Sequence, residues 1–275
     1  MGSQRRLEDL PWPAVEAAAR RAGSTVVLPI GAVEQHGPHL PLGTDGCFAD
    51  TLLDLVLKQL PEELPIWRLP LQSYGFSPEH TGFPGTVSLP AELLLGLLEA
   101  VGAAVAGAGF ERLVLFNGHG GQIALLQVAA RQIRQRWPQL AVLPWFIWSG
   151  PPQLLELIPE PERSQGLHGG RAETSLMLAL RPELVGPLPT AALPAEPPSG
   201  LSLEGSVPCA WISRELSASG LVGDPSGAHP GEGGELLEGL VEGWRQLFTS
   251  LLTSDWPQRR PALDRVQRLP TAPQQ

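Results

Sequence analysis

Thr25-Val26-Val27-Leu28-Pro29-Ile30 is a β-branched, apolar run set between Gly23-Ser24 on one side and Gly31 on the other. A run this short and this uniformly apolar predicts a strand buried on both faces, as in a parallel sheet covered by helices. Its end opens onto Glu34 and His36. Upstream, Leu10-Pro11-Trp12-Pro13 leads into residues 14–21, a run of helix formers with Pro placed for a first turn. Downstream, apolar residues recur at helical spacing over 47–59, and 66–71 restores an extended pattern before a loop carrying Tyr74, His80 and Pro84. The alternation continues with a helix over 91–108, a short strand over 113–116, a helix over 122–136, a strand over 141–148 and a helix over 173–179. Such a succession predicts an α/β fold, a mostly parallel sheet with helices on both faces and its sites at the carboxyl ends of the strands. Residues 236–252 have the spacing of an amphipathic helix, with Trp244 and Phe248 on it, which docks on the core or on another subunit.

At 275 residues the chain is long enough to bury one large core, and one domain over 1–258 with a polar, Pro-rich, flexible tail over 259–275 is expected. The Pro- and Ala-crowded stretch 187–200 reads as a surface loop. With 43% hydrophobic and only 17% charged residues, the composition is that of a globular protein rather than a disordered one. A formal charge of -9 repels phosphate backbones and anionic lipid, so neither nucleic acid nor membrane is an expected partner. The apolar stretch 100–110 falls short of the roughly 20 residues of a membrane span. Two cysteines, Cys47 and Cys209, supply neither a disulfide framework nor a CxxC metal site, and no signal-peptide pattern opens the chain, so a cytoplasmic location is expected.

Three segments carry chemistry. Gly31-Ala32-Val33-Glu34-Gln35-His36-Gly37-Pro38-His39-Leu40-Pro41-Leu42-Gly43-Thr44-Asp45 puts carboxylates and imidazoles on a loop at a strand end. Those are ligands suited to Zn²⁺ or Mn²⁺, although a polar surface loop has the same composition. Asn117-Gly118-His119-Gly120-Gly121 follows the strand over 113–116, where glycines let backbone approach a ligand; taken alone, this turn equally suits a phosphate. His168-Gly169-Gly170-Arg171-Ala172-Glu173-Thr174-Ser175 precedes a helical run, with His168 and Glu173 five apart across two glycines. That spacing excludes an HExxH site on one helix face, and leaves helix capping by Glu173 or Thr174 as the alternative to metal binding.

Together these segments resemble the creatininase family, and the likeness extends to Leu10-Pro11-Trp12-Pro13, Tyr74-Gly75-Phe76-Ser77-Pro78-Glu79-His80, Phe83-Pro84-Gly85-Thr86 and Gly223-Asp224-Pro225. The resemblance implies a three-layer α/β/α sandwich, a homohexamer, and hydrolysis of small cyclic or linear amides. It implies that Glu34 and His119 bind one divalent metal and His36 the other, with Asp45 bridging. Creatinine-hydrolysing members carry a Glu two residues after the His of the NGH motif; here that position is Gly121, as in the NGHGG branch, so Glu173 is assigned as the remaining ligand. Gln122, where the family usually has Asn, puts a local hydrogen bond in question. The expected cofactors are two ions per subunit, Zn and/or Mn, with Fe also compatible. Three carboxylates against two divalent ions leave about +1, which a bridging hydroxide, the expected nucleophile, would neutralise. His168 is then free to protonate the leaving nitrogen. The expected reaction is hydrolysis of a small non-peptide amide, lactam or formamide. A peptidase trimming a short precursor peptide, of the mycofactocin-maturation type, and a non-catalytic phosphate- or small-molecule-binding protein are the alternatives. His39 and His80 are open between site contacts and structural hydrogen bonds, and Trp145 and Trp148 between a pocket wall and core packing.

Overall fold

The computed structural model describes residues 5–152, 154–189, 199–205 and 207–257; the expected tail over 259–275 and most of the Pro-rich loop lie outside these. Four strands form one parallel sheet in the order β2-β1-β3-β4, with β1 at Thr25–Ile30, β2 at Ile66–Arg68, β3 at Arg112–Asn117 and β4 at Ala141–Phe146. β1 and β3 pair along their whole length, Thr25 opposite Arg112 and Ile30 opposite Asn117, so their carboxyl ends finish level. The extended segment expected over 66–71 is a strand only to Arg68. The chain then runs alongside and rejoins β1 at Gln72, whose N–H donates to Pro29 O at 2.9 Å.

Period-two alternation divides the two central strands between two cores. Val26, Leu28, Ile30, Leu113 and Leu115 face one side, with Leu94, Leu98 and Val105 of α3 (Ala91–Ala108) and Leu126, Ala129 and Ile133 of α4 (Ile123–Arg136). The first helix, α1 (Trp12–Ala19), adds Ala18 and Ala19 to that layer. Val27, Val114 and Phe116 face the other side, against Phe48, Leu52 and Val56 of α2 (Thr44–Gln59) and Trp244 and Phe248 of a long C-terminal helix, Pro230–Leu252. Each such side chain contributes about 1.5–3 kcal/mol when fully buried, and β1 and β3 carry no polar side chain between their ends. The α/β/α layering expected from the sequence is the observed fold.

α3 is long and apolar enough to cross a membrane by length and composition, yet its Leu94 and Leu98 are fully buried in this core. The C-terminal helix begins six residues before its apolar pattern does. Its first turn is held by His229 Nδ1, which accepts from the Gly231 N–H at 3.0 Å.

Candidate metal centre

The carboxyl ends of β1 and β3 deliver the site. After β1 the chain turns through Glu34 and His36 and re-enters at α2, whose first turn carries Asp45; after β3 it passes Asn117, Gly118 and His119 into a 3-10 turn, Gly120–Gln122. The close backbone approach at Gly118 is to the α2 start rather than to open space: a Cβ there would lie 2.4 Å from Asp45 O. Asn117 fixes the turn, its Oδ1 accepting from the His119 N–H at 2.9 Å and from Gln122 Nε2 at 2.8 Å. Gln122 also donates to Gly31 O and accepts from the Phe76 N–H, so it ties three segments together and the hydrogen bonding in question at this position is satisfied.

His36 Nδ1 lies 3.1 Å from Glu34 O, which turns Nε2 toward Asp45 Oδ1 at 3.2 Å. His119 Nε2 lies 3.1 Å from Phe76 O, which turns Nδ1 toward Glu34 Oε1 at 3.2 Å and Asp45 Oδ2 at 3.3 Å. Glu173 Oε2 accepts from the Gly169 N–H at 2.7 Å. Ligand atoms of Glu34, Asp45 and His119 all lie within 4.8 Å of one another, and so do those of His36, Asp45 and Glu173; Asp45 belongs to both groups. All five residues named from the sequence are therefore gathered at one place. Two further groups within the same distance combine Glu34 with His36 and His168, and with Glu79 and His80.

The electrostatics are those of a site facing cations. Both oxygens of Glu34 and Asp45 Oδ2 are sealed from solvent with no hydrogen-bond partner among the described residues. With His119 donating outward, its Nδ1 lone pair and these oxygens converge, an arrangement that needs a proton or a metal between them. Burial opposes charge on His36, but Asp45, Glu173 and Glu34 overcome it and raise its pKa to about 10. His119 is likewise raised well above its ordinary value against burial, by Glu34 and Asp45. Burial, with Asp45 adding, pushes Glu173 up to about 7. His168 moves the other way: burial, then His36 and His80, hold it well below the usual histidine range.

The helix that carries Glu173, α7 (Arg171–Leu180 in chain order, after the short α5 Leu154–Leu157 and α6 Glu162–Gln165), is not capped by Glu173 or Thr174. Glu162 takes that place, accepting from the Ala172 N–H at 2.9 Å, and leaves Glu173 to the site. His39 stands outside the ligand groups, its Nε2 2.8 Å from Thr174 Oγ1. His80 is inside: its ring stacks on His168 with centroids 3.9 Å apart, and Gln35 Nε2 lies 2.8 Å from its Nδ1. Glu79 was not legible as a site residue; the only signal was its place beside His80 in the Gly/Pro-rich loop. Trp145 packs in the core against Trp244 and Phe248, whereas Trp148 lines a cavity of about 350 Å³ above the centre. Glu34, Asp45, His119, His168 and Glu173 form the polar floor of that cavity, and Phe146, Leu154, Ile158, Leu167 and Trp211 give it an apolar wall.

The family model described as creatinine amidohydrolase matches residues 8–248. The chain belongs to the creatininase family. The mycofactocin precursor peptide peptidase of Mycobacterium tuberculosis is 32% identical over 234 residues, covering 79% of this chain and 82% of that protein. The creatinine amidohydrolase of Pseudomonas putida is 33% identical over 191 residues, covering 64% of this chain and 72% of its own. Among solved family structures, a variant creatininase of Zn–Zn type superposes with a TM-score of 0.70 at 25% identity, over 92% of this chain and 100% of that one.

Proposed function

We propose that this creatininase-family hydrolase is a dinuclear metal enzyme that cleaves the amide bond of a short peptide. The observation that carries it is the pair of ligand groups sharing Asp45 at the floor of a cavity with an apolar wall. Glu34, Asp45 and His119 would hold one divalent ion, and His36, Asp45 and Glu173 the other; the unpartnered buried oxygens of Glu34 and Asp45 fit that role. Ions bound there supply Lewis-acid polarisation of a carbonyl and lower the pKa of water.

The remaining work falls to this chain's own side chains. His168 Nε2–H donates to Gln35 O, so Nδ1 faces the centre, 3.7 Å from Glu34 Oε1. Neutral at pH 7 and held in this tautomer, His168 accepts a proton at Nδ1 and returns it to the leaving nitrogen. The apolar wall binds the substrate's side chains and excludes bulk water from the floor.

A peptide is favoured over a creatinine-sized amide by the size and apolar wall of the cavity and by the relative named as a peptide peptidase. Gly121 argues the same way. A small non-peptide amide is the second reading, supported by the creatinine amidohydrolase likeness. A phosphate-holding role for the Asn117–Gly121 turn has against it the carboxylates of Glu34, Asp45, Glu79, Glu173 and Glu204 lining the same cavity. The test is hydrolysis of a panel of short peptides, lactams and creatinine by metal-loaded protein. Peptide cleavage abolished by chelation is expected, with creatinine turned over poorly; brisk creatinine hydrolysis without peptide cleavage would overturn the substrate assignment. Assembly as a homo-oligomer is part of the same proposal, and a monomer by light scattering at micromolar concentration would contradict it.

A further inference from the structure

At Gly121, where creatinine-hydrolysing relatives resemble one another in carrying Glu, the space is already filled. A Cβ built on Gly121 would lie 1.8 Å from Glu79 Oε1 and 2.7 Å from His119 Nε2. Gly121 is not among the glycines of positive φ, so the missing side chain makes room and does not serve the backbone. Glu79 reaches this space from a 3-10 turn, Pro78–His80, whose Glu79 O accepts from Ser213 Oγ–H at 2.7 Å. Its side chain is 12% exposed and lines the cavity. Oε1 ends 3.3 Å from His119 Nε2, on the edge of the ring opposite the Nδ1 that faces Glu34 and Asp45.

We propose that Glu79 is the positioning residue of His119: seated in the space that Gly121 leaves, its carboxylate lies against the outward Nε2–H and makes Nδ1 a stronger metal ligand. This rests on the metal reading above and deepens it. The Phe76 carbonyl, 3.1 Å from the same nitrogen, already supplies a neutral acceptor, so what Glu79 adds is charge. A carboxylate on the far side of a ligand imidazole raises its basicity and fixes its tautomer, and losing such a partner typically lowers metal affinity about 10–100-fold. Gly121 and Glu79 then form one device. A side chain at 121 and the Glu79 carboxylate cannot both occupy this volume, and the chain delivers its carboxylate from a different loop.

The experiment measures zinc affinity of the full-length protein by chelator competition, with the melting temperature of the metal-free protein as a check on folding. Glu79→Gln keeps the size and removes the charge; an affinity loss of about tenfold or more for one ion is expected, with metal-free melting unchanged. Gly121→Ala should weaken zinc binding by a larger factor in the native background than in Glu79→Ala, where the 1.8 Å contact is gone. Native affinity in Glu79→Gln, or the same factor for Gly121→Ala in both backgrounds, overturns the pairing while leaving the metal centre standing. A native protein that holds no zinc overturns the dinuclear reading and this inference together.

Discussion

Asp45 Oδ1 lies 3.2 Å from His36 Nε2. Its other oxygen faces His119, so one carboxylate on the first turn of α2 serves both sides of the site, whereas Glu173 reaches only the His36 side. The two residues therefore predict different losses. Asp45→Asn should leave protein with little or no tightly held metal. Glu173→Gln should release roughly one of two ions and lower turnover more than ~10²-fold, because the proposed dinuclear chemistry needs both. Elemental analysis after gel filtration counts the ions. Two retained ions and full activity in Glu173→Gln would remove it from the ligand set.

Metal loading should release protons, and more at lower pH. In the metal-free protein His36 stays protonated up to about pH 10, and Glu173, raised to about 7 by burial and Asp45, is protonated below that. Ligands must be deprotonated to bind, so affinity falls as pH falls through these values. Between pH 8 and pH 6 the release should grow by about one proton, the one Glu173 carries. Titration calorimetry in buffers of differing ionisation heat reads this number; the growth should vanish in Glu173→Gln, and its persistence there would assign the proton to another group.

Much of this was legible because the signals were local. β1 is apolar along its length, as a strand buried on both faces must be, and Glu34, His36 and His119 follow strand ends whose burial the sequence already implied. Other features depend on contacts between distant segments. The turn that carries Glu79 is tied through its main-chain oxygen to Ser213, 134 residues away in sequence, and no spacing rule reaches that far. Glu162 caps α7 from ten residues upstream, across three glycines, so the helix start gave no sign that Glu173 would face the site instead of capping. Trp145 and Trp148 are three residues apart at the end of one strand, yet only the packing of the C-terminal helix decides that the first is core and the second cavity wall.

His39 predicts an acid-sensitive fold. Burial, with His36 adding, depresses its pKa to about 4, and its Nε2 lies beside Thr174 Oγ1, whose O–H donates to Gly169 O. The unfolded chain takes up a proton near pH 6.5 that the folded one refuses until about 4, so this stability is complete above 6.5 and is lost as pH falls to 4. Melting temperatures of metal-free protein across that window should drop more steeply for native protein than for His39→Gln. Equal slopes would show that His39 carries none of the effect.

The last prediction separates proton transfer from metal holding. His168 shares a convergent group with Glu34 and His36, and is also anchored through Nε2 to Gln35 O, so geometry alone allows it to bind an ion or to move a proton. The second role is favoured because two complete groups of three exist without it, and because a neutral imidazole with a free Nδ1 toward the cavity is suited to accept and return a proton. His168→Gln should then keep both ions and lose about 10²–10⁴-fold in turnover. The loss should shrink for a substrate whose leaving group needs no protonation, such as a nitroanilide compared with an alkyl amide, since the part of the loss that comes from the proton delivered to nitrogen then disappears. Loss of an ion in His168→Gln, or an equal loss on both substrates, would make His168 a ligand or a packing residue instead.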